Sequence, residues 1–265
     1  MAKNLNSIDS VRASRDGHEF HEAWTARKAL QLLLPTDNLV GIAVEGLHPA
    51  DQAAATSETV EIADIVLYYG KRSTFKGADN VKIVQFKYSV SSRDDDFRAS
   101  HAKKTIVKFA AAYIDHKKRY GAKEVRDKLE FELITNRPIY PAFEQAIASI
   151  SDGKPLSSEV KKQAKQFKAA CGLDGKPLVE FAGKCLITGL AGSLSDTKRD
   201  LSRTLVDWSA TSNAVARARL GAMRQMVRDK AGYAGTNRNV IRHTDVLAAL
   251  DVPDVDELLP CPASL

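Results

Sequence analysis

An α/β fold of the α+β kind is the class this 265-residue sequence predicts. Three observations point to it. An apolar helical period lies near the N-terminus, three short β-branched runs separated by turn residues follow, and a long helical stretch then leads to a fourth apolar run. From residue 141 onward the pattern becomes mostly helical. The expected order is therefore an αβββαβ core over residues 1–140 with a helical C-terminal extension over 141–265.

Residues 1–14 read as a loose leader. In DGHEFHEAWTARKALQLLLP, Phe20, Trp24, Ala26, Leu30 and Leu33 keep helical spacing until Pro35 stops it. LVGIAVEGL (39–47) reads as a strand, ADQAAATSET as a polar loop, and VEIADIVLYYG (60–70) as a second strand closed by glycine. A third strand covers 81–88, and the few residues before it, with Gly77 and Asn80, predict an antiparallel hairpin with the second. Asp94, Asp95 and Asp96 precede a helix over 97–119, where their charge suits the positive end of its dipole. An acidic metal cluster is the rival reading, disfavoured because successive residues at a cap point in different directions.

KLEFELITN (128–136) reads as the fourth strand. Helices are expected over 142–151, 157–171, 196–208, 212–230 and 243–250, with a short strand at 184–188 and turns at 151–158 and 172–177. A soft domain boundary falls near 138–142, and the proline-containing tail DVPDVDELLPCPASL reads as running into a linker.

Composition narrows the function classes. No apolar run reaches the length of a membrane span and the N-terminus lacks the apolar core of a signal peptide, so a cytoplasmic protein is expected. Cys171, Cys185 and Cys261 form no CxxC pair, which argues against a disulfide framework or a zinc cluster. His18, His48, His101, His116 and His243 show no metal-ligand spacing and read as surface or capping residues. No P-loop motif is present. The formal charge of +6 and pI near 9.1 favour a polyanionic partner. The cations bunch in HAKKTIVKF, DHKKRYGAKEVRDK, EVKKQAKQFK and RARLGAMRQMVRDK, each of which also fits the solvated face of a helix.

The third strand carries the chemistry. Alternation sends Val81, Ile83, Gln85 and Lys87 to one face and Lys82, Val84, Phe86 and Tyr88 to the other. On an edge strand the amide and amine meet solvent; on a central strand they need partners.

With DGHEFHEAWTARKALQLL, VEGL, ADIVLYYG, QFKYS and ITNRP in that order, the chain resembles the PD-(D/E)xK, restriction-endonuclease-like nucleases. The resemblance is to their Mrr-like branch, in which Q-x-K replaces D/E-x-K. It extends to the double-stranded DNA endonuclease effector domains at the N-terminus of bacterial antiviral proteins, including STAND-type NTPases and effectors of cyclic-oligonucleotide signalling. That resemblance implies phosphodiester hydrolysis with Mg²⁺ or Mn²⁺. Asp64 would be the principal ligand, Gln85 a neutral one, and the carbonyl of Phe86 a third, with Lys87 orienting water or stabilising phosphate charge. Glu45 would compensate for the neutral Gln85, while Glu61 should face away.

His21 stands where Mrr-like proteins carry a Glu or Gln on the first helix, and Glu22 could substitute, although one residue turns a helical side chain by about 100°. Lys103, Lys104, Lys108, Arg219 and Arg224 would hold double-stranded DNA. A homo-oligomer is implied, as is a sensor, NTPase or signal-binding module in a longer chain. The rival readings are a catalytically decayed DNA-binding module and a protein-assembly adaptor on a nuclease scaffold.

Overall fold

A computed structural model describes residues 7–34, 36–52, 63–153, 157–209, 212–232 and 238–252. Helix α1 (Ser7–Ala29) runs into a 3₁₀ turn (Leu30–Leu33), followed by β1 (Leu39–Val44), the short α2 (Pro49–Gln52), β2 (Ile65–Gly70) and β3 (Ala78–Lys87). Helices α3 (Ala99–Tyr120) and α4 (Ala122–Lys128) lead to β4 (Leu129–Thr135). Beyond it come α5 (Pro141–Asp152), α6 (Ser158–Cys171), α7 (Gly175–Ala182) and β5 (Cys185–Thr188). Helices α8 (Leu194–Ser209) and α9 (Asn213–Ala231), strand β6 (Val240–Ile241) and α10 (His243–Ala249) complete the order.

The strands form one mixed sheet in the order β5-β4-β3-β2-β1-β6. β2 and β3 are the expected antiparallel hairpin, with Ile65 opposite Val84 and Tyr68 opposite Val81. β3 pairs in parallel with β4, and β4 with β5, so helices must carry the chain back across the sheet between them. β3 is therefore a central strand, the case in which its polar pair needs partners.

Strand alternation divides the interior into two cores. Val66, Tyr68, Val81, Ile83 and Phe131 pack against Phe109 and Tyr113 of α3 and Phe181 of α7. Ile65, Leu67, Val84 and Phe86 face Phe20 of α1, Leu201 and Leu205 of α8, and Met223 and Val227 of α9. At the centre of the second core Phe20 stacks on Tyr88 with centroids 4.8 Å apart, and Phe86 lies edge-on to it at 5.9 Å. The chain beyond residues 138–142 supplies β5, β6 and half of this second core, so it completes the sheet on both sides.

Several local expectations need correction. The first helix starts at Ser7, within the stretch read as a leader. The turn expected over 172–177 yields after three residues to α7, capped by the Asp174 carboxylate, which accepts from the Gly175 N–H at 2.8 Å. The three aspartates lie ahead of a helix that begins at Ala99. There Asp96 pairs with Arg98 at 3.2 Å, and the carbonyls of Asp95 and Asp96 accept from the Arg137 guanidinium. His48 and His101 are caps as read, accepting from the N–H groups of Ala50 and Arg98. His116 is instead buried against Phe75, which holds its pKa down at about 4. Glu61, Cys261, Pro35 and most of the tail lie outside the described residues.

Two anchors fix the strand ends. Asp51 is 4% exposed, and its carboxylate accepts from the Phe75 N–H at 3.0 Å and the hydroxyls of Tyr68 and Tyr120 at 3.2 and 3.3 Å. At the outer edge, the Val44 N–H donates to the Asn239 carbonyl at 2.8 Å, and the Asn239 side chain donates to the carbonyls of Val44 and Leu47. Among the described residues no helix is long and apolar enough to cross a membrane.

Candidate functional site

The hairpin register and the end of β1 bring the sequence-marked residues to one end of the sheet. The backbone ladder continues one residue past β2: the Asp64 N–H donates to the Val84 carbonyl at 3.1 Å, and the Asp64 carbonyl accepts from Glu45 at 2.8 Å. The Asp64 side chain then reaches across, one carboxylate oxygen accepting the Phe86 N–H at 2.6 Å. Glu45 sits at φ 49° ahead of Gly46 at φ 132°. A non-glycine residue in the left-handed region is strained, and such strain collects at sites whose surroundings hold it in place. Enclosure at the cleft mouth, and next the Asp64 carboxylate, push the Glu45 carboxyl above its ordinary pKa.

Gln85 is 5% exposed, and its amide oxygen is buried with no hydrogen-bond partner among the described residues. An unmet buried acceptor costs about 1–3 kcal/mol. Lys87 is half-buried; burial lowers its pKa, Asp64 opposes that, and Lys108 and Lys104 add to it. Lys103 and Lys104 are exposed on α3 and Lys108 is half-buried one turn beyond Lys104. From the other side, the His21 ring lies 4.7 Å from that of Phe86, and burial lowers its pKa so that the neutral ring prevails at pH 7. On this side a cavity of about 230 Å³ opens between α1, α9 and the ends of β1 and β2, with His18, His21, Thr25, Glu45, Asp64 and Arg228 in its wall; Gln85, Lys87, Lys104 and Lys108 lie outside that wall.

Thus Asp64, Glu45, Gln85, Lys87 and His21 gather at one end of the sheet, with Lys104 and Lys108 close by. Other expected residues are engaged elsewhere. Glu22 is held by Arg224 at 3.0 Å and Arg228 at 2.8 Å, which removes it as a substitute ligand. Arg224 also pairs with Glu19 at 3.2 Å and is only 13% exposed, so it locks α9 to α1 and presents no charge to a ligand. Arg219 is half-buried on α9, with one guanidinium nitrogen enclosed. His18 and Thr25 were missed as site residues. The signal available was their i, i+3 and i+4 relation to His21 on one helical face.

Mg²⁺, implied by the sequence resemblance, is commonly held by one or two carboxylates, waters and ligand phosphates. Asp64 and Glu45 supply carboxylates and the orphaned Gln85 oxygen a further hard donor. Among the described residues no group of three or more His, Cys, Asp or Glu could hold an ion. The donors therefore fit an ion shared with a phosphate ligand, where it would offset phosphate charge.

Replacing Gln85 by leucine removes the unmet acceptor while keeping a similar volume. Gln85→Leu is expected to leave stability unchanged or raise it by about 1 kcal/mol in urea denaturation. A loss above about 1 kcal/mol would show that the amide has a partner after all.

No family model and no curated protein matches the chain. Solved structures do. The Acinetobacter baumannii Cap4 SAVED/CARF-domain containing receptor with the cyclic trinucleotide 3'3'3'-cAAA is 13% identical, with a TM-score of 0.47, over 88% of this chain and 46% of that one. The Moraxella osloensis Cap4 SAVED/CARF-domain containing receptor is 12% identical at a TM-score of 0.48, over 88% and 46%. The A. baumannii receptor with 2'3'3'-cAAA is 12% identical at 0.46, over 89% and 45%. This chain spans less than half the length of these receptors, and a likeness at this level assigns no family.

All three are described as receptors and none as a nuclease. On that finding the expected membership of the PD-(D/E)xK nucleases, and with it the expected metal-dependent double-stranded DNA endonuclease, is corrected. In the structure one Asp64 oxygen accepts a backbone N–H, and Glu22 and Arg224 are paired with each other. The fold itself is a mixed α/β arrangement around a six-stranded sheet.

Proposed function

We propose that this chain is a binding module for a phosphodiester-linked oligonucleotide signal, held at the end of the central sheet between α1 and α3. One observation carries the reading: Lys87 stands half-buried beside a buried amide oxygen that lacks a partner, with Lys104 and Lys108 on the adjoining helix. Lysines are compact charges suited to phosphodiester oxygens, and partial burial strengthens each contact by lowering the local dielectric. The Gln85 oxygen, the second Asp64 oxygen and Glu45 are acceptors, which suit a base amino group or a ribose hydroxyl. The set thus offers cations for a backbone and acceptors for the groups it bears. Such recognition fits the anti-phage setting that the sequence resemblance implies, with the chain as the signal-binding part of a longer assembly.

The cyclic trinucleotides in the two A. baumannii receptor structures serve as probes. Titration calorimetry with 3'3'3'-cAAA is expected to show saturable binding that weakens as salt rises from about 50 to about 200 mM. Lys87→Ala should weaken it by about tenfold or more, without loss of thermal stability. Absence of saturable binding, or binding untouched by both Lys87→Ala and the Lys104→Ala/Lys108→Ala pair, would refute the reading.

A further inference from the structure

A second concentration of positive charge lies apart from that cleft, where the chain returns to the sheet edge. In the run NRNVIRHTD, Arg238 lies in the turn before β6 and Arg242 follows it with extended backbone, and both line one cavity with Val240 between them in sequence. Asn239, between them, is bound to the backbone of Val44 and Leu47, which fixes the arginines over the end of β1. His48 arrives from the β1 side and Lys230 from the last turn of α9. Together with Thr244 and Asp245 these residues wall a cavity of about 340 Å³.

The charges do not cancel. Lys230 pairs with Asp245 at 2.9 Å, and Asp245 also accepts the Arg242 N–H at 2.8 Å as the cap of α10. Among the described residues, no carboxylate pairs with the side chain of Arg238 or Arg242. His48 accepts the Ala50 N–H through Nδ1, which leaves Nε2 to carry the proton of the neutral ring. Arg238, Arg242, His48 and Thr244 thus border a space larger than a bare oxyanion needs, at the lower end of small-molecule pockets.

We infer that this cavity binds the terminal phosphate of a small phosphate monoester of nucleotide size. A monoester phosphate carries close to two charges at pH 7 and three terminal oxygens, which suits two forked guanidiniums better than a singly charged diester does. The site is separate from the proposed signal cleft, so the two stand or fall independently.

The test uses adenosine 5'-monophosphate, inorganic phosphate and the dinucleoside monophosphate ApA, which has a diester but no terminal phosphate. Calorimetric titration is expected to show AMP binding that inorganic phosphate displaces, with ApA about tenfold weaker or worse. Arg238→Ala and Arg242→Ala should each weaken AMP by about tenfold, while Lys161→Ala, at an exposed position of α6 outside both sites, leaves it unchanged. Asp245→Asn preserves a capping side chain and frees Lys230, and should tighten AMP several-fold. Thermal melting of each variant separates lost binding from lost folding. The inference is overturned if AMP does not saturate, if ApA binds as well, if phosphate fails to displace AMP, or if both arginine variants, still folded, bind AMP as the parent does.

Discussion

Phe20→Ala is expected to lower the stability of this protein by about 3–5 kcal/mol, with a matching fall in its urea midpoint. Phe20 is fully buried, stacked on Tyr88 and edge-on to Phe86, so truncation leaves a cavity bordered by the strand that carries Gln85 and Lys87. Because α1 also carries His21, loosening this contact should weaken ligand binding at the sheet end beyond what the loss of folded protein explains. Circular dichroism in urea, beside calorimetry at low temperature where the variant stays folded, reads both effects. A change below about 1 kcal/mol would mean that the aromatic stack is not what holds α1 to the sheet.

The second large effect belongs to Asp51→Ala. Its carboxylate joins the end of β2 to α3 through Tyr68, Tyr120 and the Phe75 N–H. Truncation strands a buried backbone donor and removes an acceptor from two hydroxyls, at a cost of about 3 kcal/mol or more. Asp51→Asn keeps an acceptor oxygen and should lose less than half as much. Equal losses for the two substitutions would point to the charge and not to the hydrogen bonds.

Much of the fold was legible because it follows from local pattern. The alternation of VKIVQFKYS assigned Val81 and Ile83 to one core and Val84 and Phe86 to the other, and the two cores are divided in that way. The hairpin register then brought Asp64 beside Gln85, which is why the centre of the site could be read from strands alone. What escaped lacks a local signal. Two residues of β6 have no period, and α7 opens with Gly175 and Pro177, residues that elsewhere mark turns but are tolerated in a helix's first turn. Glu22 and Arg224 are 202 positions apart, and nothing in either neighbourhood announces their pairing. The Q-x-K spacing names residue types at a sheet end and not the ligand that meets them. Carried from motif to activity, it led to a nuclease.

The strap formed by Asn239 has a consequence in time. It closes the outer edge of the sheet on β1, whose Val44 lies 195 residues upstream. At a synthesis rate of about 5–20 residues per second, β1 therefore waits about 10–40 s for its last partner. Throughout that interval an apolar strand presents unpaired backbone to whatever else is being made nearby. Pairing across so long a stretch of chain is intrinsically slow, since loop closure precedes any gain from the contact. Newly made chains thus pass through a state open to strand addition and to chaperones, and docking of Val240 and Ile241 ends it.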